Sequence, residues 1–166
     1  MAMLRSIKIL LVLTVAAFGF VGALWNLIDW AGTVGAVEFT TGMTGWQGGG
    51  AAWQATTNPL IVHAGAIFIP LMKVLFAVLC LIGAWRMWQA RAADREAFQR
   101  AKTFALAGCG LAVWMLFAGW IVIAETWFEL WRSDLMRSAA LESAFRYAGF
   151  IGLIALFVAM RDTDES

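Results

Sequence analysis

The residues able to do chemistry are few, and two of them stand where hydrocarbon is expected. In the stretch HAGAIFIPLMKVLFAVLCLIGAW, from His63 to Trp85, Pro70 and Lys73 interrupt an otherwise apolar run. A charge at the bilayer centre costs at least ~2.5 kcal/mol on insertion scales, so an intramembrane lysine is a functional candidate by default. No Asp or Glu of the chain falls at the same depth; Asp29 and Glu125 lie nearer the ends of apolar runs. Pro70 offers a local remedy, because proline cannot donate to the carbonyl four residues back, here that of Ala66. Helical side chains lean toward the N-terminus, which places the Lys73 amine within reach of that carbonyl. Lys73, Pro70 and Ala66 therefore form one candidate polar site. Two roles stay open for it: a lysine satisfied or neutral within its own bundle, and a lysine paired with an acid on another subunit.

A second candidate group gathers at the outer ends of the apolar runs. It comprises Asn26, Asp29, His63, Glu125 and Arg146. His63 with Asp29 or Glu125 has the chemistry of a metal site, or of a group titrating near neutral pH. Hydrogen bonds and ion pairs that pin helix ends are the plainer reading. With one histidine and no clustered ligand spacing, neither a metal nor a cofactor is assigned, and bis-histidine haem is excluded within one chain. Cys80 and Cys109 both lie inside apolar runs, far from any C-x-x-C spacing, and read as small packing residues. There is no Gly-rich phosphate loop, H-E-x-x-H or C-x-x-C-H motif, so the chain reads as a non-enzyme.

The elements that carry these residues follow from hydropathy. The chain is 62% hydrophobic and 14% charged, more apolar surface than one soluble core of 166 residues can hide. Mean hydropathy is +0.77. The formal net charge of +1 gives no global field for nucleic acid. Four runs are long enough to cross ~30 Å of hydrocarbon: roughly 7–28, 60–85, 103–124 and 144–160. The first resembles a signal peptide in its flanking Arg5 and Lys8, but it is long for such a segment and reads as a retained helix.

Lys and Arg are asymmetric. Arg5, Lys8 and the second connection (Arg86, Arg91, Arg95, Arg100, Lys102) are basic, whereas the first connection, 29–59, has neither residue. The positive-inside rule then predicts N-in, C-in topology, with 29–59 as an extracytoplasmic loop. Trp25, Trp30, Trp120, Trp127 and Trp131 near one boundary, with Trp85 and Trp88 near the other, fit interfacial belts. The loop is glycine-rich and reads as a flexible cap with a short helix around 51–55, or as a partner-binding segment.

The second run carries a seam: His63, Ala66, Pro70, Lys73, Ala77, Cys80 and Ala84 recur at steps of three and four. Small residues let membrane helices approach closely, so this seam is expected to face protein, while Phe68, Leu71, Met72, Leu75, Leu79 and Ile82 face lipid. Matching seams are Val15, Gly19, Gly22, Asn26 and Asp29; Ala105, Gly108, Ala112, Met115 and Gly119; and Ala148, Gly152, Ala155 and Ala159. The expected fold is an all-α membrane protein, an antiparallel four-transmembrane-helix bundle forming a single domain over 1–166.

Several segments carry a family resemblance: WNLIDW closing the first helix, AAWQATTNP before the second, LCLIGAWRMWQA at its exit, AFQRAKTFALAG opening the third, WIVIAETWFELWRS closing it, and FRYAGFIGLIALF. In these the chain resembles a bacterial family described as predicted small integral membrane proteins (domain of unknown function 2165). The resemblance covers nearly the whole chain and implies one domain with four spans in the bacterial inner membrane. It carries no known chemistry, and no catalytic or cofactor residue transfers. In the family's pattern an acidic residue is common near the position held here by Lys73, so a shared proton-carrying role does not transfer either.

Three functions compete. The leading one is a non-catalytic accessory or assembly subunit of an inner-membrane complex, surrounded by lipid and by other membrane subunits or copies of itself. The alternative is a small transporter or ion conduit with Lys73 as its charge and Pro70 as its break. The third is a quinone- or haem-associated redox anchor near His63, Trp25 and Trp120.

Overall fold

A computed structural model describes residues 2–161 of the chain. The expected single domain, 1–166, thus includes residue 1 and residues 162–166, which lie outside the described residues. Among those residues the regular structure is all helical, without strands, in the order α1 (Ala2–Ile28), α2 (Trp30–Thr41), α3 (Pro59–Gln89), α4 (Arg95–Ala101), α5 (Thr103–Leu116), α6 (Asp134–Met136) and α7 (Ser143–Ala159). A π-helical segment, Phe117–Trp127, continues α5, and a second, Arg137–Glu142, joins α6 to α7.

Four continuous helical stretches are long and apolar enough to cross a membrane: Met3–Ile28, Pro59–Gln89, Arg95–Trp127 and Asp134–Ala159. The first three contain the expected runs and extend past them at one end or both, and the fourth covers 144–159 of the run 144–160 while starting at Asp134. The longest helix, α3 with 31 residues, reaches about 46 Å at 1.5 Å per residue, beyond the ~30 Å apolar core. Hydropathy sees only the part in hydrocarbon. The polar ends continue the helix because their backbone groups are still best paired with one another.

Local signals set several boundaries. Asn58 caps α3 by accepting from the Leu60 amide at 2.9 Å, and Pro59 takes the first helical position, where no amide is needed. Asp94 caps α4 through the Ala97 amide at 2.7 Å. Pro70 lies inside α3 without ending it.

The first connection departs from the expected loop. Its first third is α2, a 12-residue helix capped by Asp29, whose carboxylate accepts from the Gly32 amide at 3.0 Å. Its weak apolar pattern, interrupted by Gly32 and Gly35, hid it. A 3-10 turn falls at Gly49–Ala51, slightly before the expected short helix. The connection is also a packed cap rather than a free one. Met43 is buried, the Thr56 amide donates to the Thr41 carbonyl at 2.8 Å, and Trp53 stacks edge-on against Trp127 at 5.3 Å.

The main helices pack in sequence order, α1 on α3, α3 on α5 and α5 on α7, with a lighter contact between α1 and α7. Arg5 of α1 meets carbonyls at residues 91 and 93, whereas Gly19 and Gly22 meet Lys73. Lys8 reaches Met160, while Phe18 stacks on Tyr147. The small-residue seams form the contacts. A Cβ placed on Gly19 would stand 2.6 Å from the Phe76 ring and 2.7 Å from the Lys73 carbonyl oxygen. One placed on Gly83 would strike the Ala105 backbone, and one on Gly108 would stand 2.6 Å from the Cys80 sulfur.

Ala66, Pro70, Ala77, Cys80 and Ala84 are buried, as is the third seam from Ala105 to Met115. Several assignments change: His63 and Asp29, at the outer ends of their seams, are exposed, and Gly119 has open space where a Cβ would stand. Met72, expected on the lipid side, is buried in the core beside Phe76 and Ala77. On α7 the buried positions are Ala144, Ile151 and Val158, at steps of seven, so the contact stripe lies to one side of the expected alanine–glycine seam. Gly149 and Gly152 have open space where a Cβ would stand.

Candidate functional site

Lys73 turns across the interface to α1, not along its own helix. Its Nζ donates to Asn26 Oδ1 at 2.5 Å and to the Gly22 carbonyl at 3.4 Å. The expected acceptor, the Ala66 carbonyl, is not used. Ala66 and Pro70 are instead buried seam residues on which α3 packs. The reason is spatial. Gly22 has no side chain, so the lysine stem lies against its backbone, with Cδ and Nζ 3.4 Å from where a Cβ would stand. An amide oxygen one turn further along α1 then becomes the nearest strong acceptor.

Asn26 passes the connection on to a third helix. Its Nδ2 donates to Thr33 Oγ1 at 3.0 Å, and that hydroxyl donates to the Asn26 carbonyl at 3.0 Å. The amide orientation follows from its partners: oxygen toward the ammonium, nitrogen toward the hydroxyl. Thr33 is reachable only because the chain turns at Asp29, whose backbone (φ −101°, ψ 61°) leaves the helix and whose side chain starts the next one. Lys73, Asn26 and Thr33 thereby tie α3, α1 and α2 together. Among the described residues, no carboxylate lies within ion-pair distance of Lys73.

The rim residues are not drawn into one group. Asn26 belongs to the lysine network, and Asp29 serves as the α2 cap. His63 is exposed, with its Nδ1 2.8 Å from the Pro59 carbonyl of the preceding turn. Glu125 is half-buried within the π-helical segment. Arg146 donates to Ser143 Oγ at 3.1 Å and lies over the Tyr147 ring. Each of the four other than Asn26 thus sits in its own local setting. Among the described residues, no three His, Cys, Asp or Glu side chains gather as a metal site.

Two arrangements went unseen in the sequence. Cys80 and Cys109 are both free and buried, and their sulfurs face each other at 4.0 Å across the α3–α5 contact. Their separation of 29 residues in the chain says nothing about this; only the Gly108 crossing brings them together. At the end of the bundle that holds the first residues of α1, Lys8 donates to the Met160 carbonyl at 2.7 Å and Lys102 to the same oxygen at 3.0 Å. Both lysines are fully buried, and Arg5 lies over the Phe98 ring at 4.6 Å. Two of the lysines that marked topology in the sequence thus also hold the carbonyl of Met160, the residue that caps α7, where cations complement the helix dipole.

An apolar hollow of about 220 Å³ lies beside the π-helical segment, lined among others by Phe68, Met115 and Trp120. Its walls offer hydrocarbon contact rather than reactive groups.

The four candidate spans agree with what comparison finds. A family described as predicted small integral membrane protein (DUF2165) matches residues 4–161. The chain belongs to that family. It is an integral membrane protein, in contact with the lipid bilayer along its four spans. No curated protein and no solved structure matches it.

Proposed function

We propose that this membrane protein is a non-catalytic accessory or assembly subunit of a larger complex in the bacterial inner membrane. Its four spans alternate in direction, with both termini cytoplasmic. The observation that supports the reading is Lys73. An ammonium has three hydrogens to place, and its own chain supplies two neutral acceptors and no carboxylate among the described residues. A charge held this way in a membrane is a natural partner for an acid from another subunit, where it also specifies which helices may pair. Lys73 is half-buried, so its remaining side lies open to such a group.

The packed cap over the first connection supports the same reading. It sets Trp53 edge-on against Trp127, with α2 capped by Asp29, and so presents a shaped surface without Lys or Arg outside the membrane. The conduit alternative has no comparable observation in its favour, because the lysine network joins three helices of one chain rather than lining a polar path. The redox-anchor alternative rests on His63, which is engaged with its own helix.

The test is mass spectrometry of what co-purifies with the tagged, natively expressed protein in gentle detergent, for wild type and Lys73→Met. A stoichiometric complex that thins in the variant, while the variant still inserts in the membrane, is the expected result. Recovery of the wild type alone or as a homo-oligomer would refute the reading.

A further inference from the structure

The apolar hollow beside the π-helical segment carries one unsatisfied polar group. Thr41, the last residue of α2, borders it, and the Thr41 hydroxyl is buried with no hydrogen-bond partner among the described residues. The neighbouring Thr40 gives its own hydroxyl to the Ala36 carbonyl at 2.8 Å, one turn back along the helix. A buried polar group left unpaired is costly, so an acceptor that reaches Thr41 is favoured. Water is a poor one, because it needs several polar partners and an apolar cavity of ~150 Å³ stays dry and takes up hydrocarbon instead. This hollow holds about 220 Å³. Its shape is set by what its walls lack. A Cβ on Gly119 would meet nothing within 4 Å, so the π-helical segment leaves room on that side, and π-helical turns are rare and gather at functional sites. On the other side Gly65 seats α2, since a Cβ there would stand 3.0 Å from Val37 Cγ1. Ile61, Phe68 and Ile123 on the border are exposed and belong to two of the spans, so the hollow opens to lipid.

We infer that this hollow binds one acyl chain of a membrane phospholipid, with the ester carbonyl at the head of the chain accepting a hydrogen bond from the Thr41 hydroxyl. The direction of the hollow suits that occupant. Its Thr41 end lies at the start of the span Pro59–Gln89: the Thr56 amide donates to the Thr41 carbonyl at 2.8 Å, and the Thr57 methyl stands beside Gly42. One turn back along α2, Val37 is already level with Gly65. Along α3 the hollow reaches from Ile61 to Ile69, about 12 Å at 1.5 Å per residue. Ester groups of a phospholipid lie at the boundary where spans begin, and the chain descends from them into hydrocarbon, as the hollow does. A helical threonine has two staggered places for its hydroxyl, so Thr41 can turn toward a carbonyl that enters. The volume takes the upper part of a single chain and leaves the headgroup outside. Lipid elsewhere on the spans meets one apolar face; here it meets walls on two sides and a donor.

The test is native mass spectrometry of the full chain released from nanodiscs that hold equal amounts of diester phosphatidylglycerol and its diether analogue. Wild type is expected to keep a single phospholipid once the surrounding lipid is stripped, with the diester form about fivefold in excess, the ratio that one neutral hydrogen bond gives. Thr41→Val keeps the shape and is expected to keep the lipid without that preference. Gly119→Leu fills the hollow from a position with open space and is expected to lose the lipid. Gly152→Leu also meets open space, but on α7 away from the hollow, and is expected to bind as the wild type does. No lipid on the wild type, equal retention of diester and diether, a preference unmoved in Thr41→Val, or wild-type binding by Gly119→Leu would each overturn the inference. Loss of lipid from Gly152→Leu as well would show that the effect is not local and overturn it too. Protein taken from its native membrane that carries an isoprenoid quinone in place of phospholipid, or that is dimeric and lipid-free, would give the hollow to that occupant instead and refute the acyl chain.

Discussion

Breaking the lysine network from either side should have unequal costs. Asn26→Leu removes the 2.5 Å acceptor of Lys73 and the amide that donates to Thr33, leaving the ammonium one long contact to the Gly22 carbonyl. A hydrogen bond to a charged group contributes ~1.5–3 kcal/mol and a neutral one ~1 kcal/mol. Polar contacts between membrane helices average only ~0.6 kcal/mol in measured cycles, with a maximum near ~1.7 kcal/mol, because the unfolded chain also finds partners. The short charged contact belongs at the upper end of that range, so Asn26→Leu is expected to cost about 2–3 kcal/mol. Lys73→Met loses the same bond but also removes the charge that needed it, and should cost about 1 kcal/mol or less. The double variant should cost about 1 kcal/mol more than Lys73→Met, because the Asn26 bond to Thr33 is lost as well, giving a coupling energy of about 1.5 kcal/mol. Reversible unfolding in mixed micelles by titration with sodium dodecyl sulfate measures all four corners. Additive losses, with coupling below ~0.5 kcal/mol, would show that Lys73 and Asn26 do not depend on one another and would refute the network.

The helix contacts give further expectations. Gly19→Ala should destabilise by ~1–3 kcal/mol in the same titration, because its Cβ would collide with the Phe76 ring and the Lys73 carbonyl, whereas Gly152→Ala should be neutral or slightly stabilising in open space. Copper phenanthroline added to membranes is expected to join Cys80 and Cys109, with sulfurs already at 4.0 Å, into an intrachain disulfide that blocks alkylation; Cys80→Ala should abolish it. Failure of that link in folded protein would contradict the α3–α5 packing. Thr33→Val keeps the shape but removes the hydroxyl that joins α2 to Asn26, and should cost ~1 kcal/mol while raising amide hydrogen exchange in α2.

Much of the architecture was present in the order of residues. The four apolar runs had to be spans, because water-soluble packing offers no place for so much hydrocarbon, and backbone groups in lipid must pair within a helix. The steps of three and four that join Ala66, Pro70, Lys73, Ala77, Cys80 and Ala84 on one face were enough to predict which side of α3 meets protein, because helix geometry is fixed and small residues permit close approach. The displaced stripe on α7 was not legible, since Ala148 and Ala155 pack only at the edge of the contact, Gly152 has open space, and only contact with α5 distinguishes the stripe.

The partners of the polar groups were decided by the tertiary structure alone. The sequence placed Lys73 on a buried face and left its acceptor open. The amine bonds Asn26 because two seams cross where Gly22 lets a lysine stem pass, a fact that no spacing within α3 contains. Thr33 joins because the chain bends at Asp29, and a bend of one residue reverses which side chains can meet. Cys80 with Cys109, and Lys8 with Lys102, are likewise pairs made by helix crossings. Periodicity along one chain determines which face a residue occupies. What stands opposite that face depends on how two helices meet, and only the folded bundle supplies it.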